Sequence, residues 1–387
     1  MRRDNTGYYD VWMSGGEEIR AFVPVPLPPA PPLVLEGSLR QSLEQATLAL
    51  GRLDGIATLL PDPALFIYAY VRKEALLSSQ IEGTQSSLSD LLEFEIDDAP
   101  GAPMHDVVEV SNYVAAMEHG LERLNHDFPL SNRLIREIHA ILLSRGRGSA
   151  MNPGEFRTSQ NWIGGRRPGN AVYVPPPPTA VPDCMGELER FLHATDDGLP
   201  TLVRAGLAHA QFETIHPFLD GNGRTGRLLI TFLLCHAGML KDPLLYLSLY
   251  FKQHRSDYYE LLNDVRRTGD WEDWLDFFLE GVRETANGAF GTTQQLLKLF
   301  AQHRDQIQQT GRRAGSALRV HEKLMAHPVQ SISGVAESTA LTFPTVSSAM
   351  NLLISMGIAR EITGRRSDRL FAYDEYLSIL SEGTEPL

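Results

Sequence analysis

The stretch from His216 to Arg227, "HPFLDGNGRTGR", gathers a histidine, a carboxylate, an asparagine between two glycines and two arginines. Gly221, Asn222 and Gly223 stand directly before an apolar run with helical spacing. Their backbone amides therefore open onto a helix N-terminus with few side chains in the way, and amides so placed, helped by the helix dipole, bind anions. Arg224 and Arg227 are three apart, which puts both on one side of the first turns. The dipole prefers anions at that end, so two cations there make sense when a multiply charged anion lies beside them, such as the β- and γ-phosphates of a nucleotide. Asp220 suits such a site when a cation bridges it to the phosphates, and Mg²⁺ held by one carboxylate and substrate oxygens meets that need. His216 closes the preceding helix, since Pro217 disfavours its continuation. A histidine's ordinary pKa suits it to take a proton from an incoming hydroxyl.

A second signal lies upstream in "SSQIEG", Ser78 to Gly83. At helical spacing Ile67, Val71, Ala75, Ser78 and Glu82 share one face, three of them apolar. Glu82 would then lie near the core, in the last turn before Gly83, where the dipole disfavours an anion. A carboxylate there needs a cation partner unless the helix end is solvated.

"HPFLDGNGRTGR" resembles the signature of the Fic family, H-x-F-x-(D/E)-G-N-G-R-x-x-R, with every fixed position filled. Weaker similarity runs from the helix near Ile67 to about Gly281. The resemblance implies an all-α fold, a Fic-type helical core with a small β-hairpin flap, and an enzyme that moves AMP from ATP to a Ser, Thr or Tyr hydroxyl of a target protein. It assigns His216 as general base, Phe218 as a core anchor and Asp220 as the Mg²⁺ ligand. Asn222 and the amides around Gly221 and Gly223 would hold the α-phosphate, and Arg224 and Arg227 the outer phosphates. Thr225 and Gly226 complete the nucleotide-binding set, and Tyr258 or Tyr259 would line the base pocket. Ser78, Glu82 and Gly83 match the family's inhibitory motif (S/T)-x-x-x-E-(G/N), by which Glu82 would pair with Arg227 and withhold it from the γ-phosphate. Asn161, Trp162 and Ile163, with Val172, Tyr173 and Val174, resemble the flap that takes a target's backbone by strand addition. Removal of AMP from proteins, with Glu82 positioning a water, is a variant of the same reading.

Around these residues, residues 1–37 read as an extended arm, with "FVPVPLPPAPPLVLEG" polyproline-like. Helices follow: "PDPALFIYAYVRKEALLSSQIEG" with Asp62 as its cap, Pro63 at its first position and Gly83 to end it, "VVEVSNYVAAMEHGLERL", "SNRLIREIHAILLSR", and those on either side of the motif. "SQNWIG" and "AVYV" flank a glycine- and arginine-rich turn and predict a hairpin. His209 reads as a packed core histidine. The divisions expected are a helical region with the inhibitory helix over 38–105, a catalytic core over 106–285, a linker helix over 286–315 and a winged-helix domain over 316–387. The last rests on a helix–helix–helix–hairpin order. Arg360, Arg365, Arg366 and Arg369 make its wing basic, which leaves contact with DNA or with protein open. A nucleotide-sensing transcriptional regulator acting through that wing is the second reading.

The 387 residues, 43% apolar and 21% charged, fit a soluble globular protein of more than one domain. A net charge of -13 argues against nucleic-acid binding over the whole surface. Cys184 and Cys235, far apart and outside any C-x-x-C, suit free thiols in a reducing cytoplasm. "LLITFLLCHAGML" is too short for the roughly 20 apolar residues of a membrane span. A homodimer stays open.

Overall fold

A computed structural model describes residues 2–57, 63–97, 104–194 and 198–386. The chain opens on an antiparallel hairpin of β1 (Gly7–Ser14) and β2 (Glu17–Pro24), with Tyr9 opposite Phe22. The expected arm over 1–37 is thus half hairpin. Gly15 and Gly16 both take positive φ, 57° and 84°, as a two-residue hairpin turn requires. Ile19, Ala21 and Val23 turn inward while Glu18 and Arg20 stay exposed, and on that outer face Phe22 is buried against Tyr9 and Tyr173. Only the prolines beyond Pro24 keep the chain irregular.

Helices then dominate: α1 (Gly37–Ala57), α2 (Pro63–Ile81), α3 (Leu88–Asp97), α4 (Met104–Asn125), α5 (Asn132–Leu142) and α6 (Val181–His193). Pro63 begins α2 as expected; Asp62, its expected cap, lies outside the described residues. Ser131 caps α5 through its side chain, which accepts from the Leu134 amide. At the centre are α7 (Thr201–Ile215) and α8 (Asn222–His236). Every residue of α7 from Leu202 to Ile215 is buried, the mark of a core helix covered on all sides. The pair is flanked by α9 (Ser248–Gln253), α10 (Arg255–Thr268) and α11 (Trp271–Gln308).

The boundary expected at 285/286 falls inside α11, which runs unbroken through the expected linker. No proline interrupts it, and Gly281 serves packing. A Cβ on Gly281 would lie 2.6 Å from the Tyr250 ring. Small buried residues, Thr285, Ala286 and Ala289, give the same helix a flat inner face.

After α11 come α12 (Ala314–Ala326), β3 (Val329–Ser331), α13 (Ile332–Thr339), α14 (Phe343–Ser355), β4 (Arg360–Glu361), β5 (Leu370–Ala372) and α15 (Asp374–Ser381). The strands form one antiparallel sheet in the order β3-β5-β4. This segment leans on α2: the Tyr68 ring meets His327 edge-on at 4.4 Å, and Lys73 Nζ donates to the Glu382 carbonyl at 2.9 Å. Among the described residues no helix is long and apolar enough to cross a membrane.

Candidate active site

The loop between α7 and α8 is held from three sides. α7 stops because His216 turns left-handed, at φ 48° and ψ 60°, a conformation that costs a non-glycine residue about 1–2 kcal/mol. Arg157, nearly fully buried, fixes that turn: its Nε donates to the His216 carbonyl at 2.9 Å, its amide to the Pro217 carbonyl at 2.9 Å and its Nη2 to the Pro176 carbonyl at 2.5 Å. His139 supports the next residues. Its ring stacks on Phe218 at 3.6 Å, its Nδ1 accepts from the Gly154 amide, and its Nε2 therefore donates to the Asp220 carbonyl at 2.9 Å. Phe218 is fully buried, the core anchor expected of it.

Asn222 closes the loop on itself. Its Oδ1 accepts from the Phe218 amide at 2.9 Å and its Nδ2 donates to the Phe218 carbonyl at 2.8 Å. The side chain expected to hold an α-phosphate is thus spent on the loop, and its backbone N–H remains for a ligand. Gly221, at φ 75°, takes the left-handed N-cap position of α8. The first intrahelical bond runs from Thr225 N–H to the Gly221 carbonyl, which leaves the amides of Asn222, Gly223 and Arg224 without helical acceptors.

The motif's next positions divide by helical angle. Gly223 and Arg227, four apart, share the face that lines a cleft of about 620 Å³. Arg224 turns away from it: it is 2% exposed and its Nη1 meets Glu109 Oε2 at 3.1 Å. The expectation that Arg224 and Arg227 flank one anion is corrected accordingly. Thr225 and Gly226 also face inward. The Thr225 hydroxyl donates to the Gly221 carbonyl, and the Gly226 carbonyl accepts from His209 Nδ1 at 2.9 Å.

His216, Arg227, Tyr258 and Tyr259 all line the cleft. Tyr258 is 1% exposed and donates to His209 Nε2 at 2.8 Å, so His209 is the packed core histidine expected. Arg147, Arg255 and Arg266 add cations at its wall, and Glu82 and Glu213 add carboxylates. Burial, reinforced by Arg266 and Arg157, holds His216 down at about 3, so the imidazole is neutral and able to accept a proton.

Glu82 meets Arg227 in this cleft. Arg227 Nη2 donates to Glu82 Oε1 and to the Ser78 carbonyl, and its Nε donates to the Ser78 hydroxyl, at 2.8, 2.9 and 2.8 Å. Burial pushes the Glu82 carboxyl up, but the guanidinium outweighs it and holds the carboxyl below its ordinary value. Gly83, at φ 102°, turns the chain out of α2 just after Glu82.

The expected flap is reduced to one bridge, Ile163 with Tyr173, around Gly164 and Gly165. Prolines 175–178 end its ladder, having no amide to donate. Trp162 and Val172 are exposed and Ile163 and Tyr173 border the cleft, the Tyr173 hydroxyl donating to the Thr214 carbonyl. Asn161 points inward, its Nδ2 donating to the Phe218 carbonyl. Val174 is buried and its carbonyl accepts from Phe22 of β2 at 2.9 Å, so that edge of the flap is already taken by the N-terminal hairpin.

Asp220 is half-buried, with Oδ1 accepting from the Gly221 amide at 2.7 Å and Oδ2 facing Gly148. Among the described residues no three His, Cys, Asp or Glu side chains converge to cage a metal. One carboxylate beside unpaired helix amides fits a Mg²⁺ completed by phosphate oxygens and water.

Residues 40–122 match the family described as Fic/DOC family N-terminal, and residues 129–234 match the Fic/DOC family. The chain thus carries a Fic/DOC family domain over residues 129–234, preceded by that family's N-terminal region over residues 40–122. Over 221 residues it is 32% identical to the Protein adenylyltransferase Fic of Culex quinquefasciatus and, equally, to that of Aedes aegypti. Each alignment covers 56% of this chain and 41% of the relative. A solved Fic family protein from Desulfovibrio desulfuricans shares the fold, with a TM-score of 0.58 at 21% identity over 89% of this chain and 98% of that one.

Within this Fic site, Arg157, His139, Glu213 and Arg266 are the residues that motif reading missed. Glu213 alone carried a signal, a carboxylate on a run otherwise suited to burial.

Proposed function

We propose that this chain is a protein adenylyltransferase, moving AMP from ATP to a Ser, Thr or Tyr hydroxyl of a target protein. The observation that carries the reading is His216 at a cleft shared by Gly223 and Arg227, beside the unpaired amides that open α8. The amides suit the α-phosphate and Arg227 the outer phosphates. Asp220 would hold Mg²⁺, whose charge offsets that of the departing pyrophosphate. His216 takes the acceptor's proton as its oxygen attacks. Positioning and charge neutralisation supply most of the acceleration in chemistry of this kind.

Glu82 acts as the brake in this reading. With Arg227 engaged by Glu82, the γ-phosphate loses its cation and ATP settles in a pose unsuited to in-line attack. The test uses α-labelled ATP and Mg²⁺ with the parent, Glu82→Gly and Glu82→Gly/His216→Ala. Label on protein in the single variant alone supports transfer, base and brake together. A folded, ATP-binding Glu82→Gly protein that labels nothing, itself or an added lysate, removes the reading. Release of AMP from a labelled target, rather than of pyrophosphate from ATP, would favour deadenylylation.

A further inference from the structure

A buried carboxyl stands behind His216 and has no place in the mechanism above. Glu213 and His216 are three apart at the end of α7, their side chains 8% and 19% exposed, with Glu213 Oε2 3.9 Å from His216 Nδ1. Glu213 Oε1 and His216 Nδ1 are both buried without a hydrogen-bond partner among the described residues. An unpaired buried acceptor beside an unpaired buried ring nitrogen is costly, and a bond between the carboxyl and the ring would relieve both. The Glu213 backbone carbonyl, which also takes Arg266 Nη2 at 3.3 Å, is the competing acceptor for the ring, and Glu213→Ala leaves it in place. Room for the carboxyl comes from α8: a Cβ on Gly226 would lie 2.6 Å from Glu213 Oε1. A glutamate in so buried a helix is unusual unless paired.

We infer that Glu213 is the positioning residue for His216, its carboxylate accepting the Nδ1 proton so that Nε2 is left with the lone pair. The inference rests on the adenylyl-transfer reading. As the acceptor oxygen bonds to the α-phosphorus, its proton passes to Nε2. The bond from the α-phosphorus to the bridging oxygen breaks, its electron pair leaving with pyrophosphate. The imidazolium then faces a carboxylate, which stabilises it as the acid of a triad does.

The charged and titratable groups around Glu213 come from every neighbour: Arg227 on α8, Arg266 and Tyr258 on α10, Glu82 after α2, and His216 on its own element. Burial lifts Glu213 to about 7, with Arg227 and Arg266 pulling down and Glu82 pushing up. The carboxylate therefore fills as pH rises through neutrality, and the transfer rate should rise with it.

The test compares Glu213→Gln and Glu213→Ala in a Glu82→Gly background, with ¹⁵N-labelled histidine. Nitrogen shifts of His216, read without nucleotide, should show the Nδ1–H tautomer in the parent and a population of Nε2–H in Glu213→Ala. The Gln variant, isosteric and able to accept, should keep the tautomer. It should lose the rising pH limb near 7, with kcat down by about tenfold or more and KM for ATP unchanged. Parent-like tautomer and pH profile in Glu213→Ala would overturn the inference. The tautomer measurement needs no turnover, so failure of adenylyl transfer leaves that arm intact.

Discussion

Glu82 and Arg227 meet at 2.8 Å directly over Gly223, and their side chains fill the space a Cβ there would need. The glycine expected from a phosphate cradle is thus also the glycine that lets Glu82 reach Arg227. Arg227 is 2% exposed, whereas a third of the Glu82 side chain, 32%, still faces the cleft. The arginine is fixed and the glutamate is the part that can leave.

Glu82→Gly should therefore lower stability as well as release activity. Arg227 keeps its two bonds to Ser78 but loses its counter-charge, and the partial exposure of Glu82 moderates the loss to about 1–3 kcal/mol. Urea unfolding of both proteins checks this, and saturating ATP should recover more stability in the variant than in the parent. The sign with pH follows from the lowered Glu82 pKa. The pair's contribution is full above the unfolded carboxyl value near 4.5 and is lost as pH falls through the folded one.

Arg224 should behave as a structural cation. Its partner Glu109 is also buried, so Arg224→Met strands a carboxylate and should cost about 3 kcal/mol or more. Adding Glu109→Leu should return part of that loss, and a double-mutant cycle on unfolding free energy reads the coupling. In a Glu82→Gly background, where Arg227 is released, ATP affinity should fall further for Arg227→Met than for Arg224→Met, because of the two only Arg227 lines the cleft.

Glu74 gives the fold a pH dependence of its own. Its buried carboxyl accepts from the Ser248 amide at 3.2 Å and from the Ser248 hydroxyl, and burial pushes it up to about 7. A raised carboxyl binds its proton more tightly folded than unfolded. Its contribution is therefore full below about 4.5 and is lost as pH rises to about 7. Glu74→Gln cannot titrate. Its stability relative to the parent should improve between pH 4.5 and pH 8 by about 3 kcal/mol, measured by urea titration at both values.

The cleft's floor was legible in the sequence because helical angle and glycine placement are local. His216 at a helix end before proline, the Gly221 turn and the face shared by Ser78 and Glu82 all follow from neighbours within a turn or two. What escaped depends on distant chain. Arg157 binds carbonyls on Ile215 to Pro217 from another loop, and His139 reaches Asp220 across 81 positions. Arg224 was misplaced because three-apart spacing permits a shared face without requiring it, and Glu109, not visible as its partner, drew it inward. The N-terminal hairpin was hidden by the prolines that follow it. Its second strand binds Val174, a contact that strand propensity alone could not assign.

The side of α2 away from the cleft is tied to the C-terminal segment, and this should set how readily Glu82 moves. Gln80, 1% exposed and two residues before Glu82, donates from Nε2 to the carbonyls of Ser86 and Thr384 at 3.1 and 2.8 Å. Its Oε1 accepts from Lys252 Nζ at 2.7 Å, and that ammonium also reaches the carbonyls of Gly383 and Glu385. Gln80→Ala removes the acceptor of a buried ammonium and the donor to two carbonyls at once. A charged hydrogen bond of this kind is worth about 1.5–3 kcal/mol, so local opening should become roughly tenfold more frequent. Amide exchange of Glu82, Gly83 and Thr84 should quicken by that factor, while the amides from Leu228 to Leu234 in α8 keep their protection. Lys252→Met, which retains the stem's packing and discards the charge, should reproduce the effect in weaker form. Unchanged exchange at Glu82 in both variants would mean that the turn is held by the Arg227 contact alone.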